Sequence, residues 1–224
     1  MVSTGWLASI CNLSTNYSAS GSYAVVVAMH GGRGTASHFE TLTSYSTKSD
    51  AEDFIVVYPQ GVSNTWNASH YCCGSAQSQN VDDVGFLRNL VTDMLSAYPI
   101  DPGKVFANGH SNGGVMTWRL GCDAADLFVA IGPDAADSGH LHDPEGANPD
   151  CDLGGSKVSV VNLHGDNDSN IPCYRGAGSG AEPYVRQPVE APVTDPRTRS
   201  TSCTGSRPTS ACGPASTAAP SFRR

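Results

Sequence analysis

Apolar and polar positions alternate in blocks along this chain, and several of the apolar blocks are the length of a strand rather than a helix. Residues 23–29 (Tyr-Ala-Val-Val-Val-Ala-Met), 54–58 (Phe-Ile-Val-Val-Tyr) and 127–132 (Leu-Phe-Val-Ala-Ile-Gly) are continuous apolar runs. That pattern belongs to strands covered on both faces. Residues 104–108 and 158–163 supply two more strands. Between them the period changes. Val84, Leu87, Val91, Met94 and Tyr98 recur at helical spacing behind Asp82 and Asp83, whose negative charge suits a helix N-terminus, and Pro99 and Pro102-Gly103 stop that helix. Ser37 is a candidate cap for a helix from about residue 38 to 52, and a further helix is expected from Asn112 to about Leu120. Residues 1–22 are polar and turn-rich without a clear period, residues 60–81 read as a long polar loop, and residues 133–156 read as another. Strands alternating with helices at this spacing predict an α/β fold, with a mostly parallel sheet covered by helices on both faces.

Ligands of such sheets sit at the carboxyl ends of the strands. Three glycine-rich or polar motifs fall there: His30-Gly31-Gly32, Gly109-His110-Ser111-Asn112-Gly113, and His164-Gly165-Asp166-Asn167-Asp168. The second is Gly-x-Ser-x-Gly between a strand and a helix, the context of the nucleophile elbow of an α/β-hydrolase. Gly109 and Gly113 remove side chains that so sharp a turn would crush, and the turn presents the Ser111 hydroxyl. It also leaves the Asn112 N–H at a helix start, where a developing oxyanion would be stabilised, with Gly32 as the source of a second donor. A carboxylate to orient a histidine base should follow a later strand, which offers Asp166 and Asp168.

The base is the gap in this reading. The histidines are His30, His38, His70, His110, His140, His142 and His164, and none follows Asp168, where the usual chain order Ser, acid, His requires one. His30 and His164 close buried strands and read as structural. His110 precedes the nucleophile and is expected to point away from it. His140 and His142 lie in the 133–156 segment and are candidate substitutes. Trp66 is either a loop anchor or a platform for a substrate ring. The Asp-Asn-Asp-Ser-Asn run at 166–170 lacks the glycine and distal glutamate of a calcium loop.

Charge and cysteines narrow the class. A net charge of −8 argues against nucleic acid or an anionic membrane as partner. The balance is uneven: residues 1–174 carry 6 Lys/Arg against 18 Asp/Glu, and residues 175–224 carry 7 against 3 together with half of the 14 prolines. We therefore divide the chain into a core at 1–174 and an irregular Pro/Arg/Ser/Thr-rich tail at 175–224, whose composition buries little core. Eight cysteines without paired metal spacing point to disulfides and an extracellular location, with no signal peptide expected in residues 1–10. Sequons at Asn12, Asn16, Asn67 and Asn167 are acceptors only in a glycosylating host.

From residue 23 to 172 the chain resembles the poly(3-hydroxybutyrate) depolymerase and feruloyl esterase group of secreted α/β-hydrolases. The resemblance is carried by residues 24–32 ending in His30-Gly31-Gly32, by Tyr58-Pro59-Gln60-Gly61, Cys72-Cys73-Gly74, Val81-Asp82-Asp83-Val84-Gly85-Phe86 and Gly109-His110-Ser111-Asn112-Gly113, and by Leu163-His164-Gly165 with Asp168, Ile171 and Pro172. It implies a serine carboxylic ester hydrolase acting on hydroxyalkanoate polyesters or feruloyl esters through an acyl-enzyme on Ser111. It further implies Asp168 as triad acid, Gly32 and Asn112 as oxyanion hole, and neither metal nor organic cofactor. Residues 1–15 and those after Tyr174 depart from the group's pattern, which would continue to a loop bearing the catalytic histidine. The competing expectation is a catalytically impaired fragment that at most binds ester or polysaccharide ligands.

Overall fold

A computed structural model describes residues 9–69, 72–136, 158–165 and 168–171. Among these residues six strands form one sheet in the order β1-β3-β2-β4-β5-β6: β1 (Ile10–Asn12), β2 (Tyr23–Met29), β3 (Ile55–Tyr58), β4 (Ile100–His110), β5 (Ala130–Asp134) and β6 (Ser159–Val160). β1 runs antiparallel to β3, and the other neighbours are parallel. Alternate residues of β2 face opposite cores, as strand geometry requires. Tyr23, Val25, Val27 and Met29 join the larger core, whereas Ala24 and Ala28 join the smaller one. Helices α4 (Asp83–Ala97) and α5 (Asn112–Asp123) cover the first face with Leu87, Leu90, Val91, Met94, Val115, Met116 and Leu120. Helix α1 (Ala36–Thr43) covers the second with Ala36 and Phe39, while α2 (Tyr45–Glu52) lies against β3 on the same side. The expected α/β architecture, helices on both faces of a mostly parallel sheet, is therefore present.

Several local expectations are corrected. The helix expected over 38–52 is two helices, broken at Ser44, whose φ of 55° puts it in the left-handed region. Thr35, not Ser37, caps α1 by accepting the His38 N–H at 3.2 Å. β1 lies in a stretch expected to be irregular, and it pairs Ile10 with Tyr58 and Asn12 with Val56. The elbow strand begins at Ile100 rather than Lys104. β5 begins three residues later than the apolar run, because Phe128 is held by a turn that closes α5. The 60–81 loop contains a short helix, α3 (Ser75–Ser78). The tail, together with His70, His140, His142 and Asp166, lies outside the described residues.

Candidate active site

Ser111 stands between β4 and α5 with φ 54° and ψ −120°, a conformation that costs a non-glycine residue about 1–3 kcal/mol. The surroundings impose it. The Ser111 N–H donates to Asp134 O at 2.9 Å, which extends the β4–β5 ladder to the serine itself, and the Ser111 carbonyl accepts the Val115 N–H at 2.9 Å. The two elbow glycines are required by contact: a Cβ on Gly109 would strike the Gly113 carbonyl, and a Cβ on Gly113 would strike the Met29 and His30 carbonyls. The first turn of α5 thus sits directly on the end of β2. The Asn112 N–H is among the first of the helix, which have no acceptor within it.

Parallel pairing of Met29 with Gly109 brings the His30-Gly31-Gly32 loop beside the elbow. A Cβ on Gly31 would lie 3.5 Å from Ser111 Cβ, and one on Gly32 would lie 3.6 Å from Asn112 Cβ. His30 itself is buried with both ring nitrogens engaged. Its Nε2 accepts the Gly61 N–H at 3.1 Å, which leaves Nδ1 to donate to Gly31 O at 2.8 Å. Acceptance at Nε2 requires the neutral imidazole, and burial lowers its pKa in the same sense.

Behind the elbow lies Trp66, completely buried. Its N–H donates to Asn112 Oδ1 at 2.7 Å, its carbonyl accepts Asn112 Nδ2 at 3.0 Å, and its indole Nε1 donates to His30 O at 2.9 Å. The next residue is clamped as firmly. The Asn67 N–H donates to the buried Asp83 carboxylate at 2.6 Å, and Asn67 O accepts from Arg119 Nη1 at 2.7 Å. These contacts give the Val-Asp-Asp-Val motif a physical job that sequence reasoning missed. Asp82 caps α4 by accepting the Gly85 N–H at 2.8 Å, and Asp83 holds the Trp66 segment. Cys72 and Cys73 are joined to each other on the same side, with Cys72 Sγ 3.5 Å from Asn112 Nδ2.

At the third motif, Asp168 Oδ1 accepts the N–H groups of Asn170 at 2.8 Å and Ile171 at 3.0 Å, and its Oδ2 lies 3.6 Å from His164 Nε2. Those backbone donors, Ile171 first, hold its carboxyl below the usual carboxylate range. The His164 Nε2 donates to Ile171 O at 2.6 Å, so this ring braces the loop that carries Asp168. His110 turns its Nδ1 to Asp134 Oδ2 at 2.8 Å. His38 is exposed on α1. Among the described residues, no three His, Cys, Asp or Glu side chains gather as a metal site would need, and no helix is long and apolar enough to cross a membrane.

No family model matches the chain. It is 32% identical over 108 residues to feruloyl esterase B of Piromyces equi, covering 46% of this chain and 19% of that protein. It is 33% identical over 126 residues to the poly(3-hydroxybutyrate) depolymerase of Ralstonia pickettii, covering 51% and 25%. The chain therefore spans a quarter or less of the length of these two relatives. Among solved structures it superimposes on the acetyl xylan esterase from Aspergillus awamori with a TM-score of 0.56 at 21% identity, covering 73% of this chain and 69% of that one. The sequence resemblance is borne out: the chain has the α/β-hydrolase fold, and over about half its length it is similar to proteins named feruloyl esterase and poly(3-hydroxybutyrate) depolymerase.

Proposed function

We propose that the protein is a serine carboxylic ester hydrolase of the feruloyl esterase or polyhydroxyalkanoate depolymerase type, acting through an acyl-enzyme on Ser111. The observation that carries this reading is the strained Ser111 at the strand–helix junction, with the His30-Gly31-Gly32 loop against it. In the reaction, Ser111 Oγ attacks the ester carbonyl carbon while its proton passes to a base. The carbonyl oxygen becomes an oxyanion facing the Asn112 and Gly32 N–H groups, and collapse expels the alcohol, which takes up the proton. Water then attacks the acyl-enzyme by the same route and releases the acid. Asp168 is assigned as the carboxylate that orients the base on the resemblance to the depolymerase and feruloyl esterase group and on its place after β6, and its backbone donors favour the ionised form.

His140 and His142, which lie outside the described residues, are the candidate substitutes for the base. Among the described imidazoles, His30 has both nitrogens occupied, His164 spends its Nε2 on the Ile171 carbonyl, His110 turns its Nδ1 to Asp134, and His38 is exposed on α1. The eight cysteines, together with the similarity to proteins named feruloyl esterase and poly(3-hydroxybutyrate) depolymerase, support an extracellular location and disulfides beyond the Cys72–Cys73 pair. Cys122 is already disulfide-bonded. The partner in this reading is an ester substrate, an aryl or acyl ester of cell-wall or polyester origin, without metal or organic cofactor.

The test is hydrolysis of p-nitrophenyl butyrate by wild type, Ser111→Ala, His140→Ala and His142→Ala. Turnover abolished in Ser111→Ala is expected, and loss in one histidine variant identifies the base. With no base in reach, only a residual enhancement of about 10³–10⁴ over water would remain, without a decline near the histidine pKa of about 6.5. Wild-type turnover equal to that of Ser111→Ala would leave the impaired-fragment reading.

A further inference from the structure

The esterase reading needs two N–H donors from separate segments, the β2–α1 loop at Gly32 and the start of α5 at Asn112, to converge on one oxygen. We propose that Trp66 is the positioning residue that sets their separation. A hole of this kind works when both donors lie about 2.7–3.1 Å from the developing oxyanion, so the distance between the segments must be fixed. Covalent connection does not fix it, since about 80 residues separate Gly32 from Asn112.

All three polar atoms of Trp66 are committed to those two segments. Its indole Nε1 holds His30 O, in the loop two residues before Gly32, at 2.9 Å. Its backbone N–H and carbonyl hold both ends of the Asn112 side-chain amide, at 2.7 and 3.0 Å. A core tryptophan needs one partner for its indole, and its backbone ordinarily pairs within a helix or sheet. Here the backbone lies in neither element and pairs with the side chain next to the serine. The strut is itself anchored: Asn67 N–H by Asp83, Asn67 O by Arg119, and Thr65 Oγ1 by the Ala76 N–H at 3.0 Å. Its ring lies 5.0 Å from that of His30, whose Nε2 ties the same loop to Gly61. The buried side chain therefore acts as a rigid spacer between the donors and has no surface for substrate.

The inference rests on the esterase reading, and its test separates the two. In the full chain, Trp66→Phe removes the indole donor and keeps most of the ring, while Asn112→Asp removes the donor to Trp66 O and leaves the Asn112 backbone N–H in place. Steady-state hydrolysis of p-nitrophenyl butyrate and inhibition by butylboronic acid, which forms a tetrahedral adduct on serine, are measured beside thermal melts. For each folded variant the expected result is a kcat lower by about ten- to a hundredfold, below the cost of deleting a donor outright. KM should stay within about twofold, and boronate affinity should weaken in step with kcat. A folded Trp66→Phe with wild-type kcat and boronate affinity overturns the spacer role. So does a loss in both variants that only tracks the fraction folded. Wild type without Ser111-dependent turnover overturns the esterase reading, and this inference with it.

Discussion

His110 Nδ1 lies 2.8 Å from Asp134 Oδ2, so the residue just before the elbow serine is tied to the end of the neighbouring strand β5. The hydrogen bond to Asp134 raises the His110 pKa above its ordinary 6.5. A group whose pKa is higher folded than unfolded stabilises the fold below the unfolded value and loses that contribution as pH rises through the folded one. Both side chains are nearly half exposed, so the effect on stability is small. The expected outcome is that Asp134→Asn lowers the His110 pKa toward 6.5, read from its ring proton shifts by NMR. An unchanged titration would show that the pair does not form in solution.

Asp168 gives the opposite sign. Its carboxyl sits below the usual range because the Ile171 and Asn170 N–H groups favour the ionised form, so its contribution is complete above about pH 3.9 and is lost only as pH falls further. The acid limb of a pH–rate profile should therefore belong to an imidazole. Asp168→Asn is expected to lower kcat by about 10²–10⁴ with little change in KM. A variant with wild-type kcat would remove Asp168 from the triad.

Buried Asp83 accepts the Asn67 N–H at 2.6 Å, and Asp83→Ala leaves that donor without its partner. A destabilisation of about 1–3 kcal/mol is expected from urea denaturation, with a smaller loss in Asp83→Asn, which keeps an acceptor oxygen. Equal losses in the two variants would contradict the clamp.

Gly113→Ala sets a methyl group against the Met29 and His30 carbonyls at the end of β2. Backbone on both sides leaves no rotamer to escape into, so a loss of at least about 2 kcal/mol is expected, measured as a lowered Tm. Gly32→Ala has room, its nearest neighbour being 3.6 Å away, and should melt close to wild type.

The main strands and the elbow were legible in the sequence because continuous apolar runs and Gly-x-Ser-x-Gly are local signals. β1 was not, since three residues at a sheet edge carry no period and gain their structure from pairing with β3. The break at Ser44 was hidden because a serine in the left-handed region leaves no compositional mark. Ser111, Gly32 and Asn112 are legible as candidates from motif and order, whereas order alone offers both Asp166 and Asp168 and only the resemblance selects Asp168. The sequence leaves Trp66 between anchor and platform, because its partners His30 and Asn112 lie 36 and 46 residues away. In the sequence Asp83 shows only as helix-terminal charge. The carboxylate does begin α4, but its partner is the Asn67 N–H, which no spacing rule reveals.

Acylation of Ser111 is the step on which the proposed reaction turns. Its most direct measurement is acid quenching during turnover of p-nitrophenyl acetate, followed by peptide mass spectrometry. The expected product is a peptide containing Ser111 that is heavier by one acetyl group, absent from Ser111→Ala. Acetylation at another residue, or hydrolysis with an unmodified Ser111 peptide at every quench time, would contradict it.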